Sequence, residues 1–155
     1  CNGVMTTVEG VVRVSGTKGF HDLRRHPEGQ REAGLVLFRW DEQLFFANAE
    51  VFHRRALQAV AQAPTPTRRL VVVADAISDV DVTAADMLVR LHSELAALGV
   101  ALWFAGMKGV VRDRLEHYGT LAVLGREHFS PTAGYAVNQY RQTSAEHRPA
   151  SPPGR

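Results

Sequence analysis

LVVVADAISDVDVTAADMLVRLHSELAALGVALWFA, residues 70–105, carries the alternation that decides the fold. It opens on Leu70 to Ala74 and ends on Val100 to Ala105, two nearly continuous apolar runs. Runs of that length predict strands, and the lack of a polar face predicts cover on both sides, as in a parallel sheet flanked by helices. Between them Ala84, Leu88, Leu91, Leu95 and Leu98 recur at steps of four and three, the apolar stripe of a helix over about 84–98. Gly99 supplies its stop. Thr83 reads as its N-cap, with Asp86 placing negative charge in the first turn, at the positive end of the helix dipole.

The same alternation extends in both directions. Upstream, Leu35 to Trp40 reads as a strand, and Asn48 as the cap of a helix carrying Phe52, Ala56, Ala59, Val60 and Ala63 on its buried side. Pro64-Thr65-Pro66 ends that helix. Val8 to Val14 predicts a first strand, joined to the second by Gly16 to Ala33, which shows no helical stripe; an antiparallel edge strand is the expectation there. Downstream, Val111, Leu115 and Tyr118 align on a short helix over Val110 to Tyr118. A final helix takes Ser130 as cap, Pro131 at its first position, and Ala133, Ala136, Val137 and Tyr140 as its stripe. The prediction is an α/β fold, a small mixed β-sheet of four or five strands with helices packed on it. Residues 1–8 read as an N-terminal leader, 9–143 as the folded domain, and 144–155, rich in Ser, Pro, Gly, Arg and His, as a disordered tail.

Length and composition bound the function. A chain of 155 residues, 45% hydrophobic and 22% charged, is sized for one packed domain. No apolar run approaches the roughly 20 residues that cross a bilayer as a helix. Eighteen Lys and Arg against sixteen Asp and Glu leave +2, too balanced for a protein that grips nucleic acid by neutralising many phosphates. The single Cys, Cys1, excludes an intrachain disulfide and a Cys-based metal cluster. The first seven residues lack a basic region followed by an apolar core, so no secretory signal is predicted, and the absence of Met at residue 1 predicts a piece of a longer protein.

Catalytic patterns are missing. None of the seven histidines stands three or four residues from another, as ligands on one helix face would. There is no Gly-x-Ser-x-Gly elbow, and neither Gly16-Thr17-Lys18-Gly19 nor Gly106-Met107-Lys108-Gly109 fits a phosphate-binding loop. No metal site and no enzyme are predicted. The helix starts at Asn48 and Thr83 both follow strands, which in an open α/β sheet places them together at the carboxyl edge, where ligands bind. Asn48, Asp75, Asp81 and Thr83 are therefore the candidate ligand-binding residues. Asp75, Asp79 and Asp81 crowd one loop and would repel phosphate without a divalent cation, so the expectation is no resident cofactor and, at most, weak Mg²⁺-dependent nucleotide binding. Lys18, Arg24, Arg25 and Arg31 form a basic stretch suited to anionic lipid headgroups or a neighbouring domain.

With these residues placed, the chain resembles a STAS domain, the cytoplasmic C-terminal module of SulP-type anion transporters. Gly34-Leu35-Val36-Leu37-Phe38-Arg39-Trp40-Asp41, running into Leu44-Phe45-Phe46-Ala47-Asn48-Ala49, resembles the second strand and first helix cap of bacterial members. Ala74-Asp75-Ala76 and Asp79-Val80-Asp81-Val82-Thr83-Ala84-Ala85 resemble the following loop and helix start, and Val12 to Pro27 the segment leading in from the last membrane helix. The resemblance implies a mixed sheet with helices on one side, and a parent protein that moves sulfate or a similar anion. It implies a regulatory, non-catalytic role on the cytoplasmic face of the plasma membrane, with the transporter's transmembrane domain as partner and homodimer assembly. The alternative is a free-standing anti-anti-sigma factor. Those proteins carry a phosphorylatable Ser or Thr directly after an Asp at this helix start; aligned on Asp81 that position is Val82, and the nearest hydroxyl is Thr83, the candidate phosphorylation site.

Overall fold

The computed structural model describes residues 4–8, 11–15 and 32–146, with side chains described over 32–144. Six strands form one sheet in chain order: β1 (Val4–Val8), β2 (Val11–Ser15), β3 (Leu35–Arg39), β4 (Arg69–Val73), β5 (Ala101–Ala105) and β6 (Phe129–Ser130). β1 runs antiparallel to β2, and every later neighbour is parallel. The helices are α1 (Ala49–Ala61), α2 (Val82–Ala97), α3 (Gly109–His117), α4 (Thr120–Leu124) and α5 (Ala133–Glu146), with a 3-10 turn over Arg126–His128. The mixed α/β sheet expected from the sequence is present.

Strand alternation builds two cores. Val36, Phe38, Leu70, Val72, Leu102 and Phe104 face one way and pack with Phe52 and Ala56 of α1, Leu88, Leu91 and Leu95 of α2, Leu115 of α3 and Leu121 of α4. Leu35, Leu37, Val71, Val73 and Ala105 face the other way, under Ala136, Val137 and Tyr140 of α5. Both faces of the central strands are thus buried, which is why Leu70 to Ala74 reads as apolar without interruption. The one-sided helix layer implied by the family resemblance is corrected here, because α5 returns across the far face after β6.

Other expectations shift. The single strand over Val8 to Val14 is two paired strands, and the one beside β3, β2, runs parallel to it; the antiparallel partner is β1, within the stretch read as leader. α2 starts at Val82, not at 84. Thr132 Oγ1, not Ser130, accepts from a first-turn amide of α5, that of Tyr135 at 3.0 Å, while Ser130 sits in β6. The basic residues Lys18, Arg24, Arg25 and Arg31, and the tail beyond Glu146, lie outside the described residues. Among the described residues no helix is long and apolar enough to cross a membrane.

Candidate functional site

The carboxyl ends of β3 and β4 release two loops that are tied to one another. Leu44 and Val80 form a parallel bridge, and Leu44 N donates to Asp79 O at 3.3 Å. Phe46 N donates to Asp81 Oδ2 at 2.8 Å, while Asp81 Oδ1 accepts from Ala84 N at 2.8 Å. One carboxylate therefore caps α2 and anchors the loop entering α1. Asp81 is the cap of α2; Thr83 is the second helical residue, exposed, and caps nothing. The physical reason is reach, since a cap side chain must precede the helix by one residue to turn back on the third amide.

Asn48 also departs from its expected role. It occupies the N-cap position of α1 without a side-chain cap bond. Its Oδ1 accepts from Phe45 N at 3.0 Å and its Nδ2 donates to Gln43 O at 2.6 Å, so the amide stitches the preceding loop. The backbone N–H groups of Asn48 and Ala49 both donate to Phe45 O. Two of the amides at this helix start are thereby already in use.

Asp79 and Asp81 are engaged in separate contacts. Asp79 Oδ1 accepts from Val80 N at 2.9 Å and pairs with Arg114 Nε at 3.1 Å. Tyr118 first, then Asp79, hold the exposed Arg114 guanidinium above its ordinary value. Asp75, exposed, lies against Gly106, whose φ is +71°; a Cβ at Gly106 would fall 1.5 Å from Asp75 Oδ1. Among the described residues no three His, Cys, Asp or Glu are grouped to hold a metal ion. The structure thus brings Asn48, Asp81 and Thr83 to one edge but does not converge the carboxylates on a shared point, as Mg²⁺ bridging would need. Around them Phe46 and Val82 stand 70% and 53% exposed, an apolar rim that the alternation of the sequence does not single out.

Four likenesses bear on this chain. The STAS domain family model matches residues 26–136. A probable sulfate transporter of Mycobacterium tuberculosis is 38% identical over 129 residues, covering 83% of this chain and 23% of that relative, so the chain spans less than a quarter of its length. The STAS domain of a SulP transporter from Vibrio cholerae superposes with a TM-score of 0.60 at 19% identity, over 76% of this chain and 88% of that one. A candidate anti-sigma factor antagonist from Thermotoga maritima superposes with a TM-score of 0.58 at 11% identity, over 90% and 94%. At such identities superposition speaks to the fold alone, and transporter domain and antagonist share that fold.

Proposed function

This chain belongs to the STAS domain family, and from that premise we propose that it is the cytoplasmic regulatory and interaction domain of a SulP-type transporter for sulfate or a related anion. The observation that carries the reading is the 38% identity, sustained over 83% of the chain, to a probable sulfate transporter. In this reading the chain neither transports nor catalyses. Its work is to fold as a unit, meet the transporter's transmembrane domain, and assemble with a second copy. The non-catalytic part is supported by the use of Asp79 and Asp81 as loop and cap groups.

The anti-anti-sigma alternative loses support at Val82, an exposed side chain without a hydroxyl at the position where such a switch is phosphorylated. Thr83 is exposed on the first turn of α2 and stays the candidate acceptor; a phosphate there would sit beside Asp81, and their mutual repulsion opposes its placement.

Two measurements test the reading. The gene around this chain should encode a series of apolar segments of roughly 20 residues ahead of Cys1. Cells that lack their own sulfate uptake and express that full reading frame should accumulate labelled sulfate, and Phe46→Asp should lower uptake at unchanged protein level. An upstream stop codon or an unrelated domain would overturn the proposal, as would uptake indifferent to every change on this domain.

A further inference from the structure

The sheet face under α5 holds an arginine that meets no carboxylate among the described residues. Arg69 opens β4 and is followed by four apolar residues. Its guanidinium carbon lies 4.0 Å from the Trp103 ring centroid and 5.3 Å from that of Tyr140. His128 stacks on Trp103 at 4.6 Å with 24° between the planes. β5 lies between β4 and β6, so the arginine and the histidine approach Trp103 from its two sides. Arg39, Arg90, Arg114, Arg126 and Arg141 pair with carboxylates; Arg69, like Arg54, Arg55, Arg68 and Arg112, has no such partner among the described residues. Burial pulls its guanidinium below the ordinary value, the mark of a cation desolvated without compensating charge.

The ring faces account for the cation's residence but not for its hydrogen-bonding edge. Arg69 Nη1 and Trp103 Nε1 are both buried and both without an acceptor, and His128 Nδ1 beside them is also unpaired. Arginine and tryptophan nitrogens only donate, so the missing partner is an acceptor. A guanidinium edge matches an oxyanion by shape and charge, and a neighbouring indole N–H adds a donor without adding charge. We propose that Arg69 and Trp103 form a site for a small oxyanion, sulfate-like or carboxylate, on the α5 face of the sheet. Arg69 begins β4, whereas Asp75 and Asp81 follow its far end, so the site is separate from the loops at the carboxyl edge.

The test is a titration of the 155-residue chain with sodium sulfate and, in a parallel arm, sodium acetate, with ionic strength held constant by chloride. Indole N–H resonances in proton–nitrogen correlation spectra and calorimetry are the readouts. The Trp103 Nε1–H resonance should move saturably, whereas that of Trp40, which already donates to Gln43 O at 3.3 Å, should stay. Saturation by only one of the two anions tells tetrahedral from planar recognition. Trp103→Phe keeps the ring and removes the donor, and should weaken the calorimetric affinity about tenfold, as loss of one hydrogen bond to a charged group does. Arg69→Lys should weaken it at least as much, and a melting curve checks that it folds. No shift beyond that caused by chloride overturns the proposal. So does an affinity untouched by Trp103→Phe, which decides the matter even where Arg69→Lys does not fold.

Discussion

Asp81 holds two backbone amides at once, that of Ala84 on its own helix and that of Phe46 on the loop from β3, each at 2.8 Å. Removing its side chain deletes a helix cap, worth roughly 0.5–2 kcal/mol, and also frees the Phe46 amide. Asp81→Ala should therefore cost about 2 kcal/mol in urea unfolding, while Thr83→Ala, exposed and capping nothing, should stay within about 0.5 kcal/mol. Equal costs would mean that the cap role is misassigned. Gly106 makes a sharper case, because its φ of +71° is a conformation that side chains resist and Asp75 Oδ1 occupies the place of a Cβ. Gly106→Ala should cost at least about 1–2 kcal/mol from the backbone alone. Combining it with Asp75→Ala should recover the part due to the clash and leave the backbone part. Full additivity of the two changes would show that they do not touch.

At the scale of elements, periodicity and burial coincide most fully on α2. Leu91 is 0% exposed in its centre, so Leu91→Ala should lose roughly 2–5 kcal/mol by denaturation. A loss under about 0.5 kcal/mol would put that face in solvent. α1 and α2 are also joined across their outer sides, where Arg90 Nη2 donates to Glu50 Oε1 at 2.5 Å and His53 Nε2 lies 2.9 Å from Glu94 Oε2. The hydrogen bond from Arg90 holds the Glu50 carboxyl below its ordinary value. A carboxyl lowered by folding stabilises the fold above its unfolded-state pKa, and that contribution fades as pH falls through the folded value. In Arg90→Gln, Glu50 should titrate higher by side-chain NMR, back toward an ordinary carboxyl; an unmoved midpoint would show the pair is not formed. The stripe of α2 was legible because one-sided burial writes itself as period, and the runs of β4 and β5 because burial on both faces leaves no polar residue to interrupt them. Asp81's cap was not, since Asp81 and Thr83 are both good caps and only the start of the helix chooses between them. α4, five residues with no polar period, and the layer of Arg69 on Trp103 were hidden for a related reason. The second depends on register, in which Val71 pairs with Trp103 and places Arg69 diagonally across the strands.

On the scale of the whole molecule, the net charge is only +2, so any attraction to an anionic membrane must come from where charges stand, not from their sum. Lys18, Arg24, Arg25 and Arg31 are that local excess, softened by Asp22 and Glu28. If the chain lies beside a bilayer as the cytoplasmic domain of a transporter, each such residue near an anionic leaflet contributes about 1 kcal/mol, screened over a Debye length of roughly 8–10 Å. Arg24→Ala with Arg25→Ala should then reduce sedimentation of the chain with phosphatidylserine vesicles, and added salt should erase the difference. Arg54→Ala with Arg55→Ala, on α1, removes the same formal charge from another part of the chain and serves as the control. Its binding should change little. Equal losses from the two pairs would mean that net charge alone governs attraction, and binding that survives high salt would mean that apolar contact, not the basic stretch, brings the domain to the membrane.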